Sequence, residues 1–147
     1  MSSVGTHLNF PGNTEEAFNF YKSVFGGEFK SNFMRFGDMP PAEGMPPIPE
    51  DAKKLIAHIE LPILGGFLLM GADAPAYMGM TINFGNAIQI ALEIDTRAET
   101  KRIYDALSAG GNVTMALDDM FWGGYYGTFF DKYGVQWMVN CMEKKAS

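Results

Sequence analysis

The sequence predicts an α+β fold of two tandem βαβββ modules, with curved mixed sheets and the helices outside. Three observations carry this. A strand, a capped helix and a glycine-pair stop occur near the N-terminus and again, in the same order, after Asn86. At one constant offset Thr6 falls on Gln89, Asn13 on Thr96, Glu16 on Glu99 and Tyr21 on Tyr104. Each helix is then followed by short runs bounded by turn residues, which read as strands.

Thr6 to Phe10 reads as a strand, stopped by Pro11-Gly12. Asn13 occupies a helix cap position, with Glu16 at the capping-box spacing. Ala17, Phe20, Tyr21 and Val24 recur at i, i+3, i+4 and i+7 and lay an apolar stripe along one face. Gly26-Gly27 ends the helix. Glu28 to Phe36 reads as a second strand. Gly37 to Lys54 then changes texture: Pro40-Pro41, Pro46-Pro47 and Pro49 mark a loop, and so long a loop in a compact domain is functional or mobile. Leu55 to Leu61 is a third strand, with Leu55, Ala57, Ile59 and Leu61 alternating against Ile56, His58 and Glu60. Gly66 to Ala72 is a fourth. Modules 1–75 and 86–147 are joined by a linker at 76–85.

The second module opens with a strand from Ile88 to Ile94. Thr96 and Glu99 form a second capping box, Ile103, Ala106 and Leu107 make the buried helix face, and Gly110-Gly111 ends it. Asn112 to Leu117, Tyr125 to Phe130 and Val135 to Cys141 read as strands. Asp131-Lys132-Tyr133-Gly134 is a tight turn between the last two. Gly123, Gly124 and Gly127 leave bare backbone among bulky neighbours, which suits a bend, a bulge or the close passage of a ligand. Both tryptophans, Trp122 and Trp137, lie in this hairpin, so it forms a wall of the core or of a pocket.

The 147 residues are 47% hydrophobic and 19% charged, an ordinary globular balance, and the formal net charge is −6. No cluster of Lys and Arg offsets that charge, so neither nucleic acid nor a membrane surface is an expected partner. The longest apolar run, Leu61 to Ala72, is broken by Pro62 and Gly65-Gly66 and is too short to span a bilayer. Cys141 is the single cysteine, which excludes an internal disulfide and suits a reducing, cytoplasmic setting. There is no signal-peptide pattern at the N-terminus. Phosphate-loop, nucleophile-elbow, zinc-finger and dinucleotide spacings are absent.

His58 and Glu60 share one strand face, opposite the apolar parity. A histidine beside a carboxylate suits general acid–base work near neutral pH; a structural pair or a dimer contact is the alternative. Asp118-Asp119 suits either a hard metal or a solvated loop. Met34, Met39 and Met45, with Met78 and Met80, suit an adaptable apolar pocket or plain gap-filling.

Phe10-Pro11-Gly12-Asn13-Thr14-Glu15-Glu16-Ala17-Phe18-Asn19-Phe20-Tyr21 with Val24-Phe25-Gly26-Gly27, Ile56-Ala57-His58-Ile59, Gly71-Ala72-Asp73-Ala74-Pro75, Phe121-Trp122-Gly123 and Asp131-Lys132-Tyr133-Gly134-Val135-Gln136-Trp137 carry a resemblance over nearly the whole chain. The chain resembles the vicinal oxygen chelate superfamily, which holds glyoxalase I, bleomycin-resistance proteins and extradiol dioxygenases, and within it the PhnB-like branch. The last turn departs from the family pattern, with Lys132 and Tyr133 where Pro and Phe are usual.

The resemblance implies a glyoxalase/bleomycin-resistance-type fold and a homodimer. In metal-dependent members, two side chains from each module hold a divalent ion. Carried onto this chain, those places fall on Thr6 (with His7 adjacent), on the segment from Gly66 to Met70, on Gln89 and on Met138. Of these only Gln89 keeps a suitable ligand type, so neither a family-type metal nor another cofactor is expected. The first reading is therefore an uncharacterised PhnB-like protein that binds a small apolar or aromatic molecule. The expected lining is Phe84, Gln89, Glu93, Trp122, Tyr125, Tyr126 and Met138, with His58 as an orienting group. The alternative is a lyase or isomerase, glyoxalase-like or dioxygenase-like, on a small vicinal-oxygen metabolite, using His58 and Glu60 as an acid–base pair or a metal held by His7 and Gln89. A structural dimer without a ligand is the third.

Overall fold

The computed structural model describes residues 1–30 and 33–147. They form two compact units, Met1–Asn83 and Phe84–Ser147. The first contains β1 (Thr6–Phe10), α1 (Thr14–Phe25), β2 (Met34–Arg35), β3 (Ile56–Pro62) and β4 (Leu68–Asp73). Its sheet order is β1-β4-β3-β2, with β1 parallel to β4 and the other pairs antiparallel. The second contains β5 (Ile90–Glu93), α2 (Arg97–Ser108), β6 (Asn112–Asp119), β7 (Tyr125–Phe130) and β8 (Gln136–Cys141). Its order, β5-β8-β7-β6, repeats the first, again with the outer and adjacent strands β5 and β8 parallel. The duplicated βαβββ pattern is thus present as two four-stranded mixed sheets.

Each helix packs its apolar stripe on its own sheet. In the first unit Phe10, Phe18, Tyr21, Ile59, Leu61 and Leu69 are fully buried. Gly71 makes this possible: a Cβ there would stand 2.4 Å from Phe18 Cε1, so only glycine lets the ring lie on β4. In the second unit Ile103, Leu107, Phe129, Trp137 and Val139 are fully buried, and Tyr104 meets Phe129 edge-on at 5.4 Å. Each such side chain contributes about 1.5–3 kcal/mol by leaving water.

The start of α1 differs from the capping box read at Asn13. The Asn13 side chain makes no cap bond and its Oδ1 is buried without a hydrogen-bond partner. The cap comes instead from β4. Asp73 Oδ1 accepts from Thr14 N (3.0 Å) and Thr14 Oγ1 (2.6 Å), and Asp73 Oδ2 accepts from Ile56 N (2.8 Å). One buried carboxylate therefore joins α1, β3 and β4. At α2 the local cap forms, with Glu99 N donating to Thr96 Oγ1 at 3.2 Å. The Glu99 carboxylate does not close the box. It pairs with Arg102, which lowers its pKa chiefly through that hydrogen bond.

The turn after β7 follows the sequence reading. Asp131 Oδ1 accepts from Tyr133 N (2.8 Å) and Val135 N (3.1 Å), its Oδ2 accepts from Trp137 Nε1 (2.8 Å), and Gly134 takes φ 96°. The strand expected over Glu28 to Phe36 is corrected to the two residues Met34–Arg35; Lys30 N still donates to Glu60 O at 2.9 Å. Ser31 and Asn32 of that stretch lie outside the described residues. Its run lacks sustained alternation, and the Pro-rich segment begins immediately after it. β6 extends two residues beyond the expected Leu117, through Asp118-Asp119, with register shifts along its pairing to β7. No helix among the described residues is long and apolar enough to cross a membrane.

Candidate functional site

Strand parity separates a helix-covered face from an open face in each sheet. In the second unit Gly127 and Phe129 contact Tyr104 of α2, so they and their partners Val139 and Trp137 face the helix. The alternate residues Tyr126, Thr128 and Phe130 of β7 face the other way, opposite Asn140, Met138 and Gln136 of β8. Ala91 and Glu93 of β5 join that face opposite Met138 and Asn140. Gln89 precedes β5 with the same parity, and its Nε2 lies 3.5 Å from Met138 Sδ.

The open face is a polar sheet with an aromatic edge. Asn140 Nδ2 donates to Glu93 Oε2 at 3.0 Å. Asn140 is only 6% exposed, yet its Oδ1 has no donor among the protein groups; Gln136 Oε1, two places along the same face, is in the same state. Buried carbonyl oxygens are rarely left so, because each forfeits a hydrogen bond it would make in water. Trp122 meets Tyr126 edge-on at 5.6 Å. Its six-membered ring lies against Gly124, where a Cβ would stand 2.0 Å from Trp122 and 2.5 Å from Asn140 Oδ1. Gly124 is thus the slot through which the half-exposed indole reaches the neighbourhood of the Asn140 oxygen.

The residues read from sequence divide. Gln89, Glu93, Tyr126 and Met138 share the open face, with Trp122 at its edge. Tyr125 does not: it pairs with Cys141 on the helix side, under the Arg97 guanidinium at 4.0 Å. Arg97 in turn makes a two-pronged contact with Asp119 (2.6 and 3.0 Å), which holds the Asp119 carboxyl below its ordinary range. Phe84 packs on Gly134, at the end of the β7–β8 hairpin opposite Trp122. Asn140 and Gln136 were missed in the sequence. Both lie on the parity of Met138, which was the available signal.

In the first unit Gly71 contacts Phe18, so Leu8 and Ile59, paired with it, face α1. His7, Met70 and Glu60 align on the opposite face. His58 shares it: its Nε2 lies 2.9 Å from Glu60 Oε1, and its ring stacks on His7 at a centroid distance of 6.1 Å. Partial burial, and secondarily the nearby His58, lower the His7 pKa. His7 keeps an exposed edge, so burial acts on only part of its ring.

These side chains do not fit the metal implied by the resemblance. Thr6 faces α1, paired with Leu69. The open-face positions are His7 and Met70 in one unit and Gln89 and Met138 in the other, where the Gln89 amide and the thioether are bonded to each other. At these four places two thioethers and no carboxylate suit a hard or borderline divalent ion poorly, and the carboxylates on the same faces are engaged elsewhere, Glu60 by His58 and Glu93 by Asn140. Among the described residues no group of three or more His, Cys, Asp or Glu side chains is arranged to hold a metal.

Comparison with known proteins decides the family. A model described as the Glyoxalase/Bleomycin resistance protein/Dioxygenase superfamily matches residues 7–139. The chain belongs to that superfamily. It is similar to Protein YjdN of Escherichia coli, 30% identical over 151 aligned residues, covering 97% of each chain. Among solved structures it resembles protein PA1353 from Pseudomonas aeruginosa, with a TM-score of 0.79 at 36% identity over 97% of this chain and 100% of that one. It also resembles a Bacillus cereus protein described as a putative 3-demethylubiquinone-9 3-methyltransferase, PhnB protein, with a TM-score of 0.75 at 26% identity over 95% and 99%. The superfamily membership and the PhnB-like likeness therefore agree with the fold.

Proposed function

We propose that this superfamily member binds a small aromatic molecule on the open face of its second sheet, without the family's metal. The observation that carries the reading is the Asn140 Oδ1 atom, buried and without a donor beside the Trp122 ring. A flat molecule bearing an N–H or O–H group, on displacing the half-exposed Trp122 indole from Gly124, would supply that donor and stack against Tyr126 and the moved indole, while Gln89 and Glu93 bound the polar side. One or two polar groups set in an aromatic wall are what orients a ligand in most small-molecule sites. A cytoplasmic homodimer completes the proposal. The edge strand β6, with Val113 and Met115 about half exposed, supports self-association, and light scattering of the purified chain tests it.

A thermal-shift and fluorescence screen of phenols, indoles and aminoaromatics tests the binding. With only two tryptophans, and Trp137 fully buried, quenching reports on Trp122. A ligand present at a hundred times its dissociation constant stabilises the fold by about 2.7 kcal/mol, a readily measured rise in Tm. Absence of any shift across the screen at millimolar concentration sinks the reading.

The His58–Glu60 bond supports a second reading, metal-free acid–base chemistry on the first sheet. Glu60 orients the ring through Nε2, leaving Nδ1 for a substrate proton. Incorporation of solvent deuterium next to the carbonyl of small hydroxyketones, abolished by His58→Ala, is the expected signature. Exchange no faster than without protein removes it.

A further inference from the structure

The Pro-rich loop frames a half-open pocket of about 390 Å³, within the first unit and lined by none of the sheet-face residues described above. It is lined by two stretches far apart in sequence, the loop itself and the short helical turn Ala76–Met78 after β4. Three thioethers (Met39, Met45 and Met78) and the rings of Phe36 and Tyr77 meet there, walled by proline pairs. The methionines singled out in the sequence are thus brought together, although Met34 and Met80 are not among the lining residues.

The neck of the loop is fastened. Phe36 N donates to Leu55 O and Gly37 N to Lys53 O, each at 3.0 Å. Arg35 Nη1 donates to Lys54 O at 2.7 Å while its guanidinium also grips Glu15 of α1. Gly37 permits the close approach, since a Cβ there would lie 3.0 Å from Lys53 O. Prolines with fixed φ stiffen the span between the clamped ends, so little ordering entropy remains to be lost when a ligand enters.

We propose that this cavity is a second binding site, for an uncharged aromatic or alicyclic small molecule. Lys53 is the one charged side chain among its lining, and its Nζ is occupied by Glu50 Oε1 at 2.5 Å. No free charge therefore awaits an ionic ligand. The volume lies in the range of small-molecule sites. Thioethers shape themselves to irregular apolar surfaces and make favourable contacts with ring edges.

Prodan, an uncharged naphthalene dye that brightens in apolar surroundings and carries no N–H or O–H to offer Asn140, is a direct probe on the full chain. Saturable enhancement with one dye per chain at this site is expected. Met45→Glu should weaken it about tenfold by placing a charge against the dye, and Met45→Ile should restore it. Met45 is 55% exposed, so neither variant should disturb folding. Trp122→Ala should leave the dye affinity unchanged, separating this cavity from the sheet site. The proposal is overturned by absence of saturable enhancement, by an unaltered Met45→Glu, or by loss confined to Trp122→Ala. It is equally overturned if light scattering shows a dimer that Met45→Glu converts to monomer, since a second copy would then cover the loop.

Discussion

Glu93 Oε2 accepts a hydrogen bond from Asn140 Nδ2 at 3.0 Å, across the parallel pair of β5 and β8. A carboxylate only accepts, so it faces the amide nitrogen and turns the carbonyl oxygen inward, beside Gly124 and Trp122. Glu93 is thereby the residue that sets which end of the amide faces Trp122.

Replacing Glu93 by Ala should cost no more than about 1 kcal/mol of stability, because Glu93 is exposed and water can serve the freed nitrogen. Ligand affinity on this face should fall by a larger factor than stability predicts, since the amide can then reverse. Titration of any hit from the aromatic screen against Glu93→Ala, beside a denaturant curve, checks both halves. Equal affinity in the variant contradicts the orienting role.

Asp73 and Asn13 make a paired test of where α1 is capped. Asp73→Ala leaves Thr14 N and Ile56 N buried without their acceptor and should destabilise the fold by about 3 kcal/mol. Asn13→Ala should be neutral to within about 0.5 kcal/mol, as its side chain makes no cap bond. Urea unfolding of the two variants distinguishes them, and comparable losses would restore the local cap.

Gly71→Ala should destabilise the first unit by about 1–3 kcal/mol, as the added methyl drives Phe18 off β4. Phe18→Leu in the same chain should recover part of that loss. A Gly71→Ala chain as stable as the parent would mean that α1 can shift without cost.

His7 carries a pH dependence of known sign. Its pKa lies below the ordinary 6.5 in the folded chain, because burial and the adjacent His58 disfavour the imidazolium. The unfolded chain therefore takes up a proton first as the pH falls. The stability due to neutral His7 is fully present above about pH 6.5 and is lost as pH falls from there through the folded pKa. His7→Gln should flatten this segment of a stability-versus-pH curve, and an unchanged slope would exclude His7 as its source. The effect is small, given the exposed edge of the ring.

Much of the fold was legible because its signals are local. Apolar periods, Thr96 before Glu99, the glycine stops and the turn at Asp131 each act within a few residues, and their recurrence marked the duplication. The α1 cap was not legible, because Asp73 arrives from β4, 59 residues away. The brevity of β2 was not legible either, since missing alternation is a weak signal and the extent of the strand is set by its pairing with β3, about twenty residues away. At the candidate site, parity placed His58 with Glu60 and Gln89 with Glu93.

The sequence by itself determined the superfamily, the two βαβββ units and the residue types on each strand, since motif spacing and side-chain alternation are properties of the chain. Only the tertiary structure decided which neighbours meet. It turned Tyr125 under Arg97 while Tyr126 faced Trp122, stacked His7 on His58, left Asn140 Oδ1 buried without a donor, and folded distant methionines around one cavity. The physical reason is register: a shift of one residue exchanges the two faces of a strand, and register is set by pairing between segments remote in sequence.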